Sequence, residues 1–256
     1  MAATPAQPGS QSWAALRAQV MAHEDGLAMP GPPGPAECRT CRGPVLDGYR
    51  RCFQCGLHAE SAPGRLADLV VPIAYAPKGS PLARQLWQYK SARPAGRAAA
   101  QRWLRTLLLV FLREHGPCLW RAAAMPPASH VAVVPSCRGR PGPHPLATLI
   151  APYLALAWAG LAVASPDAPG CHDLDPGRFR ATRPLPGASV LLLDDTWTTG
   201  GSAQGAAGAL RAAGARHVAM VVVGRHLNRP AAALGRPFRL DRCAVQELAP
   251  VNRLDP

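Results

Sequence analysis

The 256-residue chain is 48% hydrophobic and 17% charged, which suits a buried core and excludes a charge-dominated disordered polymer. Its 28 Lys+Arg against 15 Asp+Glu leave a net charge of +13, a field that draws polyanions and phosphorylated ligands without choosing among them. The 24 glycines and 29 prolines follow no triplet period, which excludes a collagen-like fibre, and no basic-then-apolar secretory leader is visible, so the cytoplasm is the expected compartment.

Ser12 is placed to cap a short helix over 13–22, and "MPGPPGPAE" cannot continue it. Residues 1–36 therefore read as a flexible, proline-rich segment. Residues 37–60 hold four of the eight cysteines. The larger unit is expected over 66–245. "LADLVVPIAYA" (66–76) reads as a strand, followed by helices over 81–91 and 95–115. "HVAVVP" (130–135) is a buried strand, and "SCRGRPGPHP" after it is a loop. A helix near 146–158 and a strand around Leu161–Ala164 follow. Alanine, Pro152 and Gly160 argue against reading that uncharged stretch as a membrane span. Ser189–Leu193 is a strand, 202–214 a helix ended by Gly214, and 217–224 another apolar strand. Apolar strands alternating with helices predict an α/β fold, a parallel sheet covered on both faces.

Two motifs carry chemistry. The first is "CRTCRGPVLDGYRRCFQC", in which Cys38, Cys41, Cys52 and Cys55 follow the spacing C-x2-C-x10-C-x2-C. Two such corners bring four thiolates onto one Zn²⁺ as a structural site in a small zinc-ribbon-like module. Disulfides or an iron–sulfur cluster are the competing uses. Arg39, Arg42, Arg50 and Arg51 would offset the charge of a tetrathiolate. The remaining cysteines, Cys118, Cys137, Cys171 and Cys243, share no metal-like spacing and read as buried residues.

The second is "VLLLDDTWTTGGSA" (190–203). A core strand delivers Asp194 and Asp195, Thr196 and Trp197 make the turn, and Thr198, Thr199, Gly200, Gly201 and Ser202 lead into a helix N-terminus. Unpaired N–H groups and the helix dipole there favour an anion. Carboxylates beside a phosphate cradle suit one ligand with two ends: hydroxyls or Mg²⁺ on the acids, phosphate on the loop. A ribose 5-phosphate has that form. Neither a Walker loop nor a dinucleotide fingerprint is present.

The strand, acidic pair and Thr-Thr-Gly-Gly-Ser resemble the phosphoribosyl pyrophosphate (PRPP) signature of type I phosphoribosyltransferases. With the cysteine module, "PLARQLWQYK" (81–90) and "VVPS" (133–136), the chain resembles the ComF family, linked to DNA uptake in competent bacteria. The resemblance spans roughly residues 36–228. It implies a type I phosphoribosyltransferase-like sheet flanked by helices, structural Zn²⁺, and Mg²⁺ bound with PRPP. Asp194 and Asp195 would hold the ribose hydroxyls or metal, and Thr196 and Thr198–Ser202 the 5-phosphate. Arg138 and Arg140 would serve the pyrophosphate, while Arg178, Arg180 and Arg183 occupy the stretch where such folds place a lid. The chain departs from the family in reading "CRGRPGPHPLA" where an Arg-rich run ending in Arg-Gly-Phe-Asn is usual. Thr198 stands where purine-transferring relatives have an aspartate, which argues against purine salvage. The implied function is phosphoribosyl transfer with release of pyrophosphate. The alternative is a non-catalytic PRPP-sensing or DNA-handling protein, with DNA or the uptake machinery as partner.

Overall fold

Nine residues of strand β7 (Ser189–Trp197) and eleven of β8 (His217–Leu227) form the centre of the molecule. They pair in parallel from Ser189↔His217 to Trp197↔Arg225. Their apolar residues are buried on both faces, as a sheet covered by helices on either side requires. The computed structural model describes residues 4–91, 93, 95–137, 142–164, 172–228 and 235–246.

Outside the central pair lie β2 (Leu69–Pro77), parallel to β8, and β3 (His130–Val133), parallel to β7. The short β4 (Ala157–Trp158) continues the parallel set beyond β3. On the other edge, β1 (Ala28–Met29) and β9 (Arg236–Pro237) add antiparallel, giving a seven-stranded order β4-β3-β7-β8-β2-β1-β9. The fold is thus α/β with a mostly parallel sheet. A separate two-stranded ribbon joins β5 (Leu161–Val163) to β6 (Phe179–Ala181).

Helices α1 (Trp13–Met21), α3 (Pro81–Gln88), α4 (Arg97–Ala122) and α5 (Pro145–Ile150) cover one face. Helix α6 (Gly201–Ala212) and the cysteine module, with its helix α2 (Phe53–Ser61), cover the other. Helix α6 stops as expected. Gly214 has φ +103°, and the pair Ala215 N–H to Leu210 O (3.1 Å) and Gly214 N–H to Arg211 O (2.9 Å) closes a Schellman motif.

Four expectations change. The lead-in over 1–36 supplies α1, whose Leu16 and Val20 are fully buried, and the edge strand β1. The second helix does not stop at 115 but runs to Ala122 through Pro117. Pro117 is exposed, so the carbonyl its ring leaves unpaired faces water, while the flanking turns stay in the core. The helix expected over 146–158 ends at Ile150. Pro152 lies in a 3₁₀ turn (Ala151–Tyr153), and Ala157–Trp158 joins the sheet. Finally, β7 continues four residues past Leu193, so Thr196 and Trp197 are strand rather than turn. Among the described residues, no helix is long and apolar enough to cross a membrane.

Candidate functional site

The two halves of the chain's chemistry meet at the carboxyl ends of the parallel strands. From β3 the chain moves outward to β4, and from β7 it moves the opposite way to β8. The carboxyl ends beside such a reversal form a crevice between diverging loops. A cavity of about 710 Å³ opens there. It is lined by Ala76 of β2 and by Lys78 and Gly79 after it, by Val134–Cys137 after β3, by Asp194–Thr196 of β7, and by His226 of β8. Thr198–Ala203, the loop and first turn of α6, close one side. The acids and the predicted cradle therefore share one cavity.

Adjacent residues of a strand face opposite sides of its sheet, and the two acids differ accordingly. Asp195 is 3% exposed and carries three internal partners on Oδ2. Lys90 makes an ion pair with it, the Tyr89 hydroxyl donates to it, and His144 Nε2 lies 3.4 Å away. His144 caps α5, with Nδ1 accepting from the Leu146 N–H at 3.3 Å, which leaves Nε2 as the protonated nitrogen facing the acid. Burial opposes ionisation of Asp195, but Lys90, His144 and Tyr89 outweigh it and hold the carboxyl below its usual range. Asp194 is half-buried, and its Oδ1 accepts the Asp195 N–H at 2.8 Å. Burial, then repulsion from Asp195, pushes its pKa up to about 8. The pair is one fixed anion beside one carboxyl that is largely protonated near neutrality.

The loop differs from the expected cradle. Gly200 has φ +88°, and a Cβ there would lie 2.1 Å from the Trp197 ring. At Gly201 a Cβ would lie 2.4 Å from the His172 carbonyl oxygen. The Thr199 hydroxyl donates to that same oxygen. Packing of the chain on itself, rather than close approach of a ligand, therefore demands both glycines and engages Thr199. Thr198, exposed at the cavity, and the first turn of α6 remain as the anion-facing elements.

The cysteine module lies behind this loop. Cys38, Cys41, Cys52 and Cys55 place their sulfurs within 4.8 Å of one another, with Cys41 and Cys52 at 3.8 Å. A zinc tetrathiolate with bonds of about 2.3 Å has sulfur–sulfur edges of about 3.8 Å, so the donor set and its spacing fit Zn²⁺. The groups around the sulfurs agree. The buried Gly43 N–H points at Cys41 Sγ (3.4 Å), and Arg42, 1% exposed, folds its guanidinium over the Cys38 and Arg39 carbonyls. Cys52 caps α2, which puts Cys55 in the first turn, where the helix dipole favours a thiolate. His58, on α2, is buried and lies outside the four-cysteine set.

Arg225, at the end of β8, connects the two centres. It is 7% exposed, and its Nη1 donates to the carbonyls of Trp197 (3.2 Å), Thr198 (2.9 Å) and His226 (2.6 Å). A Cβ on Gly43 would lie 2.4 Å from Arg225 Nη2, so the cysteine knuckle packs directly on this guanidinium. The same knuckle is fixed from the sheet by the Tyr75 hydroxyl, which donates to the Arg42 carbonyl at 2.7 Å.

Arg138 and Arg140 lie outside the described residues. Of the arginines expected at a lid, Arg178 is buried and paired with Asp175 (3.8 Å), and Arg183 donates to the Trp158 carbonyl. Neither they nor Arg180 line the cavity. Lys90, Tyr89, His144 and Arg225 were missed as site residues. "QYK" and "GPHP" are short polar breaks in apolar sequence, but nothing local pairs them with Asp195. Compared with protein-family models, with curated proteins and with solved structures, the chain matches none.

Proposed function

We propose that the chain is a PRPP-binding, phosphoribosyltransferase-like protein of the ComF type, with the type I fold that this implies. One observation carries the reading: the acid pair and the Thr198–Ser202 loop line a single cavity at the carboxyl ends of four parallel strands. A ligand with vicinal hydroxyls at one end and a phosphate at the other matches those two walls. In this reading Asp194 takes the ribose hydroxyls or the Mg²⁺ carried with the pyrophosphate. A cation arriving at Asp194 would displace its proton to solvent, whereas a hydroxyl can donate to the carboxyl with the proton in place. Asp195, held by Lys90, Tyr89 and His144, fixes the position of Asp194 and supplies the standing negative charge. Thr198, Ser202 and the N–H groups of the first turn of α6 receive the 5-phosphate.

In phosphoribosyl transfer the C1–pyrophosphate bond breaks as the bond to an acceptor forms, and positive charge develops on the sugar ring. Mg²⁺, when bound, would neutralise the departing pyrophosphate. Asp195 and Lys78 both line this cavity, and in this reading the buried negative charge of Asp195 would favour the ring cation while Lys78 would meet the leaving group. The cysteine module with Zn²⁺ supports the loop through Arg225.

A second reading, a PRPP sensor without turnover that serves DNA handling, draws on the internal neutralisation of Asp195 and the net charge of +13. Calorimetry with PRPP and Mg²⁺ on the wild type and on Asp194→Asn tests both. Saturable binding weakened at least tenfold by Asp194→Asn is expected, and absence of binding by the wild type would remove both readings. Pyrophosphate release with a panel of acceptors separates enzyme from sensor. Salt-dependent binding of duplex and single-stranded DNA tests the DNA role.

A further inference from the structure

Across the sheet from the four-cysteine module, a second set of metal-binding side chains converges. His115 and Cys118 lie one turn apart on α4, and Cys243 comes from the C-terminal segment that packs onto that helix. Their ligand atoms all lie within 4.8 Å of one another, with Cys118 Sγ 4.0 Å from His115 Nδ1. His115 is 3% exposed and Cys243 8%, while Cys118 is half-buried.

The histidine is set for ligation. Its Nε2 lies 2.7 Å from the Leu240 carbonyl oxygen, so that nitrogen carries the hydrogen and donates. Nδ1 is left with its lone pair facing the two thiols. A metal-bound histidine usually has its distal ring nitrogen fixed by such a backbone carbonyl. The ring is further held against Phe111, with centroids 4.9 Å apart. For a tetrahedral ion with bonds of about 2.1 Å to nitrogen and 2.3 Å to sulfur, the nitrogen–sulfur edge is about 3.6 Å, so a small rotation of Cys118 closes the site.

We propose that His115, Cys118 and Cys243 form a second metal site, selective for a thiophilic divalent cation such as Zn²⁺. Binding forms one metal–nitrogen and two metal–sulfur bonds and releases the two thiol protons to solvent; a water fills the fourth position. The half-exposed Cys118 marks the entry path. The ion would staple the C-terminal segment, through Cys243, to the longest helix of the fold. That segment already buries Phe238, Leu240 and Val245 in the same core. Sequence spacing hides the site, because His115 and Cys118 make only half a motif and Cys243 lies more than a hundred residues away.

The test uses the full chain, purified anaerobically under reducing conditions, stripped of metal and titrated with Co²⁺ and then Zn²⁺. Two equivalents per chain are expected. The second should give thiolate-to-cobalt absorption of about half the intensity of the first, since two sulfurs replace four. Cys243→Ser and His115→Gln should each reduce uptake to one equivalent and leave the stronger spectrum. Cys38→Ser/Cys41→Ser should leave the weaker one. A wild type that takes up one equivalent, lost on Cys38→Ser/Cys41→Ser, would overturn the proposal. So would mass-spectrometric recovery of a Cys118–Cys243 disulfide from the protein so prepared. The wild-type stoichiometry decides even where a variant fails to fold.

Discussion

Replacing Lys90 by methionine removes the principal counter-charge of a carboxylate whose side chain is 4% exposed, while Lys90 itself is 27% exposed. Breaking a buried ion pair from one side costs about 3–5 kcal/mol, because the other charge is left desolvated. Tyr89 and His144 still face Asp195, which puts the expected cost at the lower end, about 3 kcal/mol. For a chain of this length that lowers Tm by roughly 6–12 °C. The sign with pH follows from the direction of the shift. In the wild type Asp195 is held below its ordinary value, so its contribution is present above the unfolded carboxylate pKa of about 3.9 and is lost as pH falls through the lower folded value. Without Lys90 the folded pKa of Asp195 rises, because burial opposes its ionisation. The deficit of Lys90→Met should therefore be smallest in acid, below the lowered wild-type value of Asp195, and grow as pH rises towards 7. Lys90→Met/Asp195→Asn leaves no buried charge and should recover at least about half of the loss. Urea unfolding followed by tryptophan fluorescence at three pH values measures all four corners of the cycle. A deficit that does not vary with pH, or a double variant no more stable than Lys90→Met alone, would refute the assignment of Asp195 as a buried, ionised acid.

Gly200→Ala forces a side chain into the Trp197 ring at a positive φ, and should cost about 2–4 kcal/mol and abolish ligand binding, as thermal unfolding and calorimetry would show. Because the Asp194 pKa is raised to about 8, binding of a Mg²⁺-carrying ligand should release close to one proton near pH 7 and tighten as pH rises to 8, read from calorimetry in buffers of different ionisation enthalpy. The same raised value means that Asp194 lowers folding stability as pH climbs from about 4 to 8, an effect Asp194→Asn should remove. Arg225→Met should weaken ligand binding about tenfold or more, through loss of its hold on the Trp197 and Thr198 carbonyls, while metal content at the four cysteines stays at one ion; an unchanged affinity would show that the loop holds itself. Stripping that ion with a chelator should lower Tm and loosen the loop in hydrogen exchange together.

The parallel sheet was legible because its strands are runs of buried apolar residues, and the end of α6 because Gly214 has the conformation a Schellman cap needs. What escaped depended on distant partners. Thr196 and Trp197 look like a turn because they follow two acids and precede a Thr- and Gly-rich run, yet pairing with Gly224 and Arg225 keeps them in the sheet. β1 is two residues long and has no period to detect. The contiguous acids and loop could be read in one stretch, and the structure brings them to one cavity. The glycines were read correctly as special positions but for the wrong cause, since the atoms that forbid a side chain there belong to Trp197 and to His172 and Asp173. Lys90, His144 and Arg225 reach the site from separate elements, and no local pattern encodes an ion pair between residues 90 and 195.

Asp194 and Asp195 are neighbours in the chain but belong to different halves of the molecule. Asp195 faces the layer of α3 and α5, through Lys90, Tyr89 and His144, while Asp194 faces the side of α6. A ligand that spans the acids and the α6 loop therefore acts as a rivet through the edge of the sheet, and clamps together the layers on its two faces. Occupancy would be felt as rigidity on both sides, in α3 as well as α6, with no change in the path of the backbone.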